Sequence, residues 1–354
     1  MKKMLCYPAM RDGTKLVTWV TLPGDGTGKY PAILSRNPYA AAPEPGTPAV
    51  QENLPDGGAE AHGFASVANH CRGRGGSEGD FLPFYREKED GLDVIAWIEE
   101  QPWFDGRLYF SGGSYLGYVQ LAMYDSLPPC VKGASTAVMA NDGRFTFFQN
   151  GVFKADVGPI WFPGMYHYGD LIHHDAHTSF EREWEKLPMG EYAKRIYGYD
   201  VPCFSGIWKM KDDPMAMPEY FTQAIDSMKK LNIPILMVTG WAEPFFNGTW
   251  RMWDEIPAGI REKCAFLVGP WSHGCSVLEG WNYPFTDAGT PPACELAWLL
   301  HLRDGTPLDE KIKEGCINYY HVGKGVWEHA ETWPLEPADT PLYLYGKACR
   351  NGAV

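Results

Sequence analysis

The sequence predicts an α/β fold, a mostly parallel sheet interrupted by a helical insertion. Three observations carry this. Short apolar runs of strand length alternate with segments of helical period from residue 16 to 138, and again from 233 to 303. The stretch between, 141–232, is rich in Trp, Tyr, His, Met and charge and shows no strand alternation. One apolar run leads directly into the glycine-rich turn Gly112-Gly113-Ser114-Tyr115-Leu116-Gly117, with a helical pattern behind it.

Taken in order, residues 16–22 and 31–35 read as strands joined by a hairpin turn at Gly24-Asp25-Gly26-Thr27-Gly28. That glycine cluster is not a phosphate loop, because neither Lys-Ser/Thr nor a helical pattern follows it. Residues 64–68 form a buried strand, and 87–101 a helix with Leu92, Ile95, Ala96 and Ile98 at helical spacing. Asp105-Gly106 is a turn, 108–110 a short strand, 118–124 a helix and 131–138 a strand. The α/β pattern resumes with strands at 233–239 and 264–268 and a helix at 295–303 that stops at Gly305. Runs at 317–322 and 342–345 read as strands of a further unit.

Composition excludes several functions. A chain of 354 residues suits one large domain with an insertion, or two domains. With 45% hydrophobic and 21% charged residues it is globular. A net charge of -13 disfavours nucleic acid, so Arg72-Gly73-Arg74-Gly75-Gly76 reads as a turn rather than an RNA-binding box. The nine cysteines form no C-x-x-C pair, which removes zinc-ribbon and thioredoxin readings. No run approaches the roughly 20 apolar residues of a membrane span, and none follows the N-terminal charges as in a secretory signal. The expectation is a cytoplasmic protein with free thiols.

The chemistry centres on Ser114. A nucleophilic serine needs a sharp strand-to-helix turn that lifts its hydroxyl above the sheet, and small neighbours to permit that turn. Gly112 and Gly113 supply them, although Leu116 stands where a strict G-x-S-x-G would have its second glycine. Serine also needs a base, and the base an acid, in the chain order Ser, acid, His. The strand at 233–239 runs into Gly240-Trp241-Ala242-Glu243, and the next into Gly269-Pro270-Trp271-Ser272-His273-Gly274. Three strand ends therefore carry Ser114, Glu243 and His273 in that order. This is the pattern of an α/β-hydrolase.

At these residues the chain resembles the cocaine esterase and X-Pro dipeptidyl-peptidase group of serine hydrolases. The resemblance is carried by Arg36-Asn37-Pro38-Tyr39, the stretch from Arg72 to Gly79, Asp90-Gly91-Leu92-Asp93, Trp97, Gln101-Pro102-Trp103 and Asp105-Gly106. It continues through the Ser114 turn, which in that family reads G-x-S-Y-x-G, and the Gly240 and His273 motifs. It implies Ser114 as nucleophile, His273 as base, and an oxyanion hole made of the Tyr115 amide and the Tyr39 hydroxyl. It also implies a helical cap and a C-terminal β-sandwich. On that reading 1–140 and 233–310 are the α/β-hydrolase core, 141–232 is the cap, and 311–354 begins a truncated sandwich.

Three departures stand out. Glu243 and Ala242 occupy positions where the family has Asp and Tyr, so Asp254 is the fallback acid. His70 replaces an Asp two residues before Arg72-Gly73. Little of the sandwich is present, and exposed edge strands there would favour self-association into a homo-oligomer.

In the insertion, His173-His174-Asp175-Ala176-His177 lacks the Glu of H-E-x-x-H and reads as polar cap surface, not a metal site. The charges at 181–185 and at Asp212-Asp213 read as solvated surface, with a substrate ammonium as the functional alternative. Trp161, Phe162 and Tyr166 are candidates for an acyl pocket, or equally for cap core. The expected reaction is hydrolysis of carboxylic esters through an acyl-enzyme, extending to amides. It needs no metal or organic cofactor and acts on a small ester or a short peptide. The alternatives are an X-Pro dipeptidyl-peptidase and a non-catalytic binding or assembly protein.

Overall fold

A computed structural model of the chain describes residues 1–40, 58–154, 223–273 and 291–333, with single positions between them such as Val157, Trp161 and Met165. Six strands precede the insertion: β1 (Lys2–Cys6), β2 (Thr18–Leu22), β3 (Tyr30–Asn37), β4 (Ala65–His70), β5 (Phe104–Gly113) and β6 (Val131–Ala137). At its start, β7 (Phe148–Gln149) and β8 (Val152–Phe153) form a small hairpin. Strands β9 (Ile235–Ala242), β10 (Ala265–Ser272), β11 (Ile317–His321) and β12 (Val326–Ala330) complete the central sheet. The α-helices among the described residues are α1 (Glu87–Glu99), α2 (Tyr115–Leu121), α3 (Gly143–Phe147), α4 (Phe246–Glu255), α5 (Ala258–Arg261) and α6 (Pro291–Asp304).

Among the described residues the sheet has ten strands, in the order β1-β2-β4-β3-β5-β6-β9-β10-β11-β12. From β4 to β11 every neighbouring pair is parallel, and only the two margins are antiparallel. A parallel sheet of this kind is covered on both faces, so its strands read as continuous apolar runs. Alternate residues go to opposite layers. Leu34, Phe110, Met237 and Val268 pack with α1, α2 and α4, while Ile33, Tyr109, Leu236 and Leu267 pack with α6 around the buried Trp298.

Several features differ from the sequence reading. The hairpin expected across 24–28 does not form, because β4 lies between β2 and β3 and pairs with both. The edge strand β1 was hidden because only three of its five residues are even partly buried, so it carries little apolar signal. Strand β5 runs ten residues rather than three, extending through polar Asp105, Gly106 and Arg107. Finally, β11 is not the start of a sandwich. It extends the central sheet beside β10, and β12 folds back on it. Both Ile317 and Tyr319 are buried against that sheet, which explains the apolar run. The run at 342–345 and most of 141–232 lie outside the described residues.

Candidate active site

Ligands of open parallel sheets gather at the carboxyl ends of the strands, and the chemistry-bearing residues lie there. Strand β5, in the middle of the sheet, ends at Gly113, and Ser114 follows at φ 55°, ψ −129°. A non-glycine residue in that conformation stores about 1–3 kcal/mol of strain. Its surroundings hold it there: the Ser114 N–H donates to the Ala137 carbonyl at the end of β6 at 2.9 Å, and its own carbonyl accepts the Gly117 and Tyr118 amides of α2. The turn must be tight. A Cβ at Gly112 would stand 2.7 Å from that of Leu116, so no side chain fits.

Strand β10 delivers His273. Its ladder with β9 slips between Gly269 and Ser272, where the buried Trp271 folds back across both strands. A Cβ at Gly240 would meet the Trp271 carbonyl oxygen at 2.0 Å, and one at Gly269 would meet its ring at 2.2 Å. The Gly240-Trp241 and Gly269-Pro270-Trp271 motifs are thus the space that Trp271 needs. Just past the slip, His273 Nε2 stands 3.0 Å from Ser114 Oγ.

Just past β9, the Glu243 side chain is fully buried and faces His273 Nδ1 at 2.9 Å through Oε1 and 3.2 Å through Oε2. The Phe245 N–H donates to Oε1 at 3.2 Å. The carboxylate accepts from Nδ1–H, which leaves Nε2 free to take a proton from serine. Asp254, the fallback acid, is exposed on α4, and His273 has no bond to it. Lys154, which the sequence did not single out, holds the turn after Glu243 by donating to the Pro244 carbonyl at 2.5 Å and to that of Phe145.

Tyr39 closes the site from the end of β3. It lines the same cavity as Ser114 and Tyr115, and its phenol is influenced by the Ser114 side chain and the Tyr115 backbone. The indole N–H of Trp161 donates to it at 3.3 Å. Burial pushes the Tyr39 phenol up against the pull of those groups, so it keeps its proton at neutral pH. Beside it opens a cavity of about 470 Å³. Besides Ser114, His273, Tyr39 and Tyr115, its described lining includes Phe84, Met139, Phe147, Val157, Trp161, Pro244 and Phe245.

Five of the residues singled out by the sequence, Ser114, His273, Glu243, Tyr39 and Tyr115, therefore meet at one place, and Trp161 joins them. Phe162, Tyr166, the 173–177 histidine cluster and the charges at 181–185 and 212–213 lie outside the described residues. No group of three His, Cys, Asp or Glu suited to a metal occurs among the described residues. No helix among them is long and apolar enough to cross a membrane. The sequence missed Phe84, Met139, Phe147 and Phe245, which no periodic pattern marks. His70 buries its ring and donates from Nδ1 to the Gly75 carbonyl at 3.1 Å, fixing the turn after Arg72.

Comparison with known proteins agrees with this arrangement of strands and loops. The sequence profile of the X-Pro dipeptidyl-peptidase (S15) family matches residues 12–275. A cocaine esterase of Rhodococcus sp. (strain MB1 Bresler) is 25% identical, over 97% of this chain and 62% of its own length. The chain thus spans about three fifths of that relative. Among solved structures, an aminopeptidase from a marine sediment Thaumarchaeota archaeon superposes with a TM-score of 0.70 at 22% identity, over 95% of this chain and 60% of its own. An α-amino acid ester hydrolase gives 0.68 at 21%, over 94% and 59%. At such identities these two likenesses speak for the fold.

Proposed function

Since the chain belongs to the X-Pro dipeptidyl-peptidase (S15) family, we propose that it hydrolyses carboxylic esters through an acyl-enzyme on Ser114. The observation that carries the reading is the unbroken line Ser114 Oγ, His273 Nε2, His273 Nδ1, Glu243 Oε1, with steps of 3.0 and 2.9 Å, opening on an apolar cavity.

The steps follow from the atoms present. Ser114 Oγ attacks the ester carbonyl as His273 Nε2 takes its proton. Glu243 accepts the hydrogen bond from Nδ1–H, holds the tautomer and balances the imidazolium charge. Negative charge develops on the carbonyl oxygen. The Tyr39 hydroxyl and the Tyr115 amide, on residues that line the same cavity as Ser114, stabilise it. Donors of this kind are worth about 10²–10³-fold each. His273 returns the proton to the departing alkoxide. Water then attacks the acyl carbon while His273 Nε2 takes its proton; the C–O bond to Ser114 breaks, His273 returns the proton to Ser114 Oγ and the carboxylic acid leaves.

The lining favours an ester with an uncharged, apolar acyl group, since the described wall is aromatic and aliphatic. Cleavage after X-Pro is the second reading, favoured by the family's description. A panel of p-nitrophenyl esters and X-Pro p-nitroanilides separates the two. Turnover of the esters with little of the anilides is expected; the reverse order would replace the ester reading with the peptidase one.

A further inference from the structure

We propose that the buried Arg36–Glu87 ion pair is a positioning device that sets the spacing between the two oxyanion donors, Tyr39 and Tyr115, through the Tyr115 phenol. The inference rests on the acyl-transfer reading above and adds residues that touch no substrate.

Tyr115 faces two ways. Its backbone directly follows the reacting serine and borders the cavity that Tyr39 also lines. Its side chain is buried. The ring is enclosed by Phe84 at 5.0 Å and stacked on Trp161 at 5.5 Å. The phenol oxygen is fixed from both sides. It donates to Glu87 Oε1 at 3.0 Å and accepts the Phe84 backbone N–H at 2.5 Å. The amide that meets the oxyanion is thus anchored by a hydroxyl at the far end of its own side chain.

Glu87 is itself fixed. It is the first residue of α1, buried, and its second oxygen pairs with Arg36 Nη1 at 3.0 Å. The same nitrogen donates to the Glu87 carbonyl at 2.8 Å, and Arg36 Nε donates to Asn69 Oδ1 on β4 at 3.0 Å. Arg36 lies on β3, three residues before Tyr39. One ion pair therefore ties together the strand that presents Tyr39, the helix α1 and the side chain that carries the Tyr115 amide. Both donors depend on it. The loop before α1 supports the same end. Phe84 and Arg86 adopt φ of 67° and 60°, and in this conformation the Phe84 N–H reaches the Tyr115 hydroxyl. A buried ion pair is weak evidence for stability, but it does hold its partners to one geometry through several directed hydrogen bonds.

Removing either charge leaves the other buried and unpaired and endangers folding, so the test uses Tyr115→Phe. That variant keeps the ring, the backbone amide and the ion pair, and removes only the anchoring oxygen. Tyr118→Phe on the same helix is the control. Its hydroxyl is buried without a hydrogen-bond partner among the described residues, so its loss reports packing alone. Both are compared with the parent for kcat and KM on a p-nitrophenyl ester, rate of fluorophosphonate labelling and thermal midpoint.

The expected result for Tyr115→Phe is a fall in kcat of about tenfold to hundredfold, a proportional fall in labelling rate, and KM changed by less than about threefold. Tyr118→Phe should keep the parent kcat. A Tyr115→Phe enzyme with kcat within about twofold of an active parent would overturn the positioning role alone. So would a lowered midpoint with no change in kcat, which marks a merely structural hydroxyl. A folded parent that neither turns over nor labels would instead overturn the hydrolase reading, and this inference with it.

Discussion

Replacing Glu243 with Gln tests the role of its charge. The Phe245 N–H donates to Glu243 Oε1 at 3.2 Å, so it selects the oxygen of a Gln amide for that position. That oxygen still faces His273 Nδ1 at 2.9 Å, and the imidazole keeps its tautomer. What the variant loses is the negative charge beside the imidazolium that forms as Ser114 attacks. Two unit charges roughly 4 Å apart attract by about 4 kcal/mol at an effective dielectric of about 20. The Glu243 side chain is fully buried, while that of His273 is 41% exposed. Part of that attraction is therefore screened, and a loss of about 3–4 kcal/mol follows, which is a fall in kcat of about 10²–10³-fold. Steady-state hydrolysis of a p-nitrophenyl ester at fixed pH measures it, with Asp254→Asn in parallel. Asp254→Asn should leave kcat unchanged. A Glu243→Gln enzyme within about fivefold of the parent, with the loss appearing in Asp254→Asn instead, would refute the assignment of the acid.

Other consequences can be checked separately. Tyr39→Phe removes one oxyanion donor while keeping its ring against Tyr115; kcat should fall by about 10²-fold with KM little changed, and an unchanged kcat would remove Tyr39 from the hole. Gly240→Ala puts a methyl 2.0 Å from the Trp271 carbonyl and should cost at least about 1–3 kcal/mol in urea unfolding. In contrast, Gly259→Ala on α5 meets nothing within 4 Å and should be neutral or stabilising. Acid should weaken the fold in a defined direction. Hydrogen bonds from Arg72 and Thr14 hold the Asp12 carboxyl well below its ordinary range. Burial pushes Asp93 and Asp125 up, but bonds from Arg11 and Lys88 outweigh it and hold both low. Depressed carboxyls contribute stability above their unfolded pKa of about 4 and lose it as pH falls through the folded values. The thermal midpoint should therefore drop on acidification below about pH 4, and a midpoint that rises there would contradict the pairing.

Much of the site was legible because each key residue stands just past an apolar strand. Ser114, Glu243 and His273 follow β5, β9 and β10, and runs such as 233–239 announce those strands without structural help. The order of the sheet was less legible. The turn at 24–28 has hairpin chemistry, yet β4, far along the chain, inserts between the strands it joins. Local turn signals do not report such a crossover. The cavity wall was hidden for another reason. Phe84 projects from a loop held at positive φ, and Phe245 from the turn after β9, where no hydrophobic period applies. Arg36, Glu87 and Lys154 were hidden because charged residues read as surface. Only the structure shows Arg36 and Glu87 buried against each other and Lys154 bound to two carbonyls.

The central claim is that Ser114 is an activated nucleophile, and its most direct measurement is covalent labelling. The parent protein and its Ser114→Ala variant are treated with a fluorophosphonate probe, and the modified peptide is identified by mass spectrometry. Modification of the parent at Ser114, with none in the variant, is the predicted result. A folded parent that stays unlabelled, or a label retained by Ser114→Ala, would contradict the account.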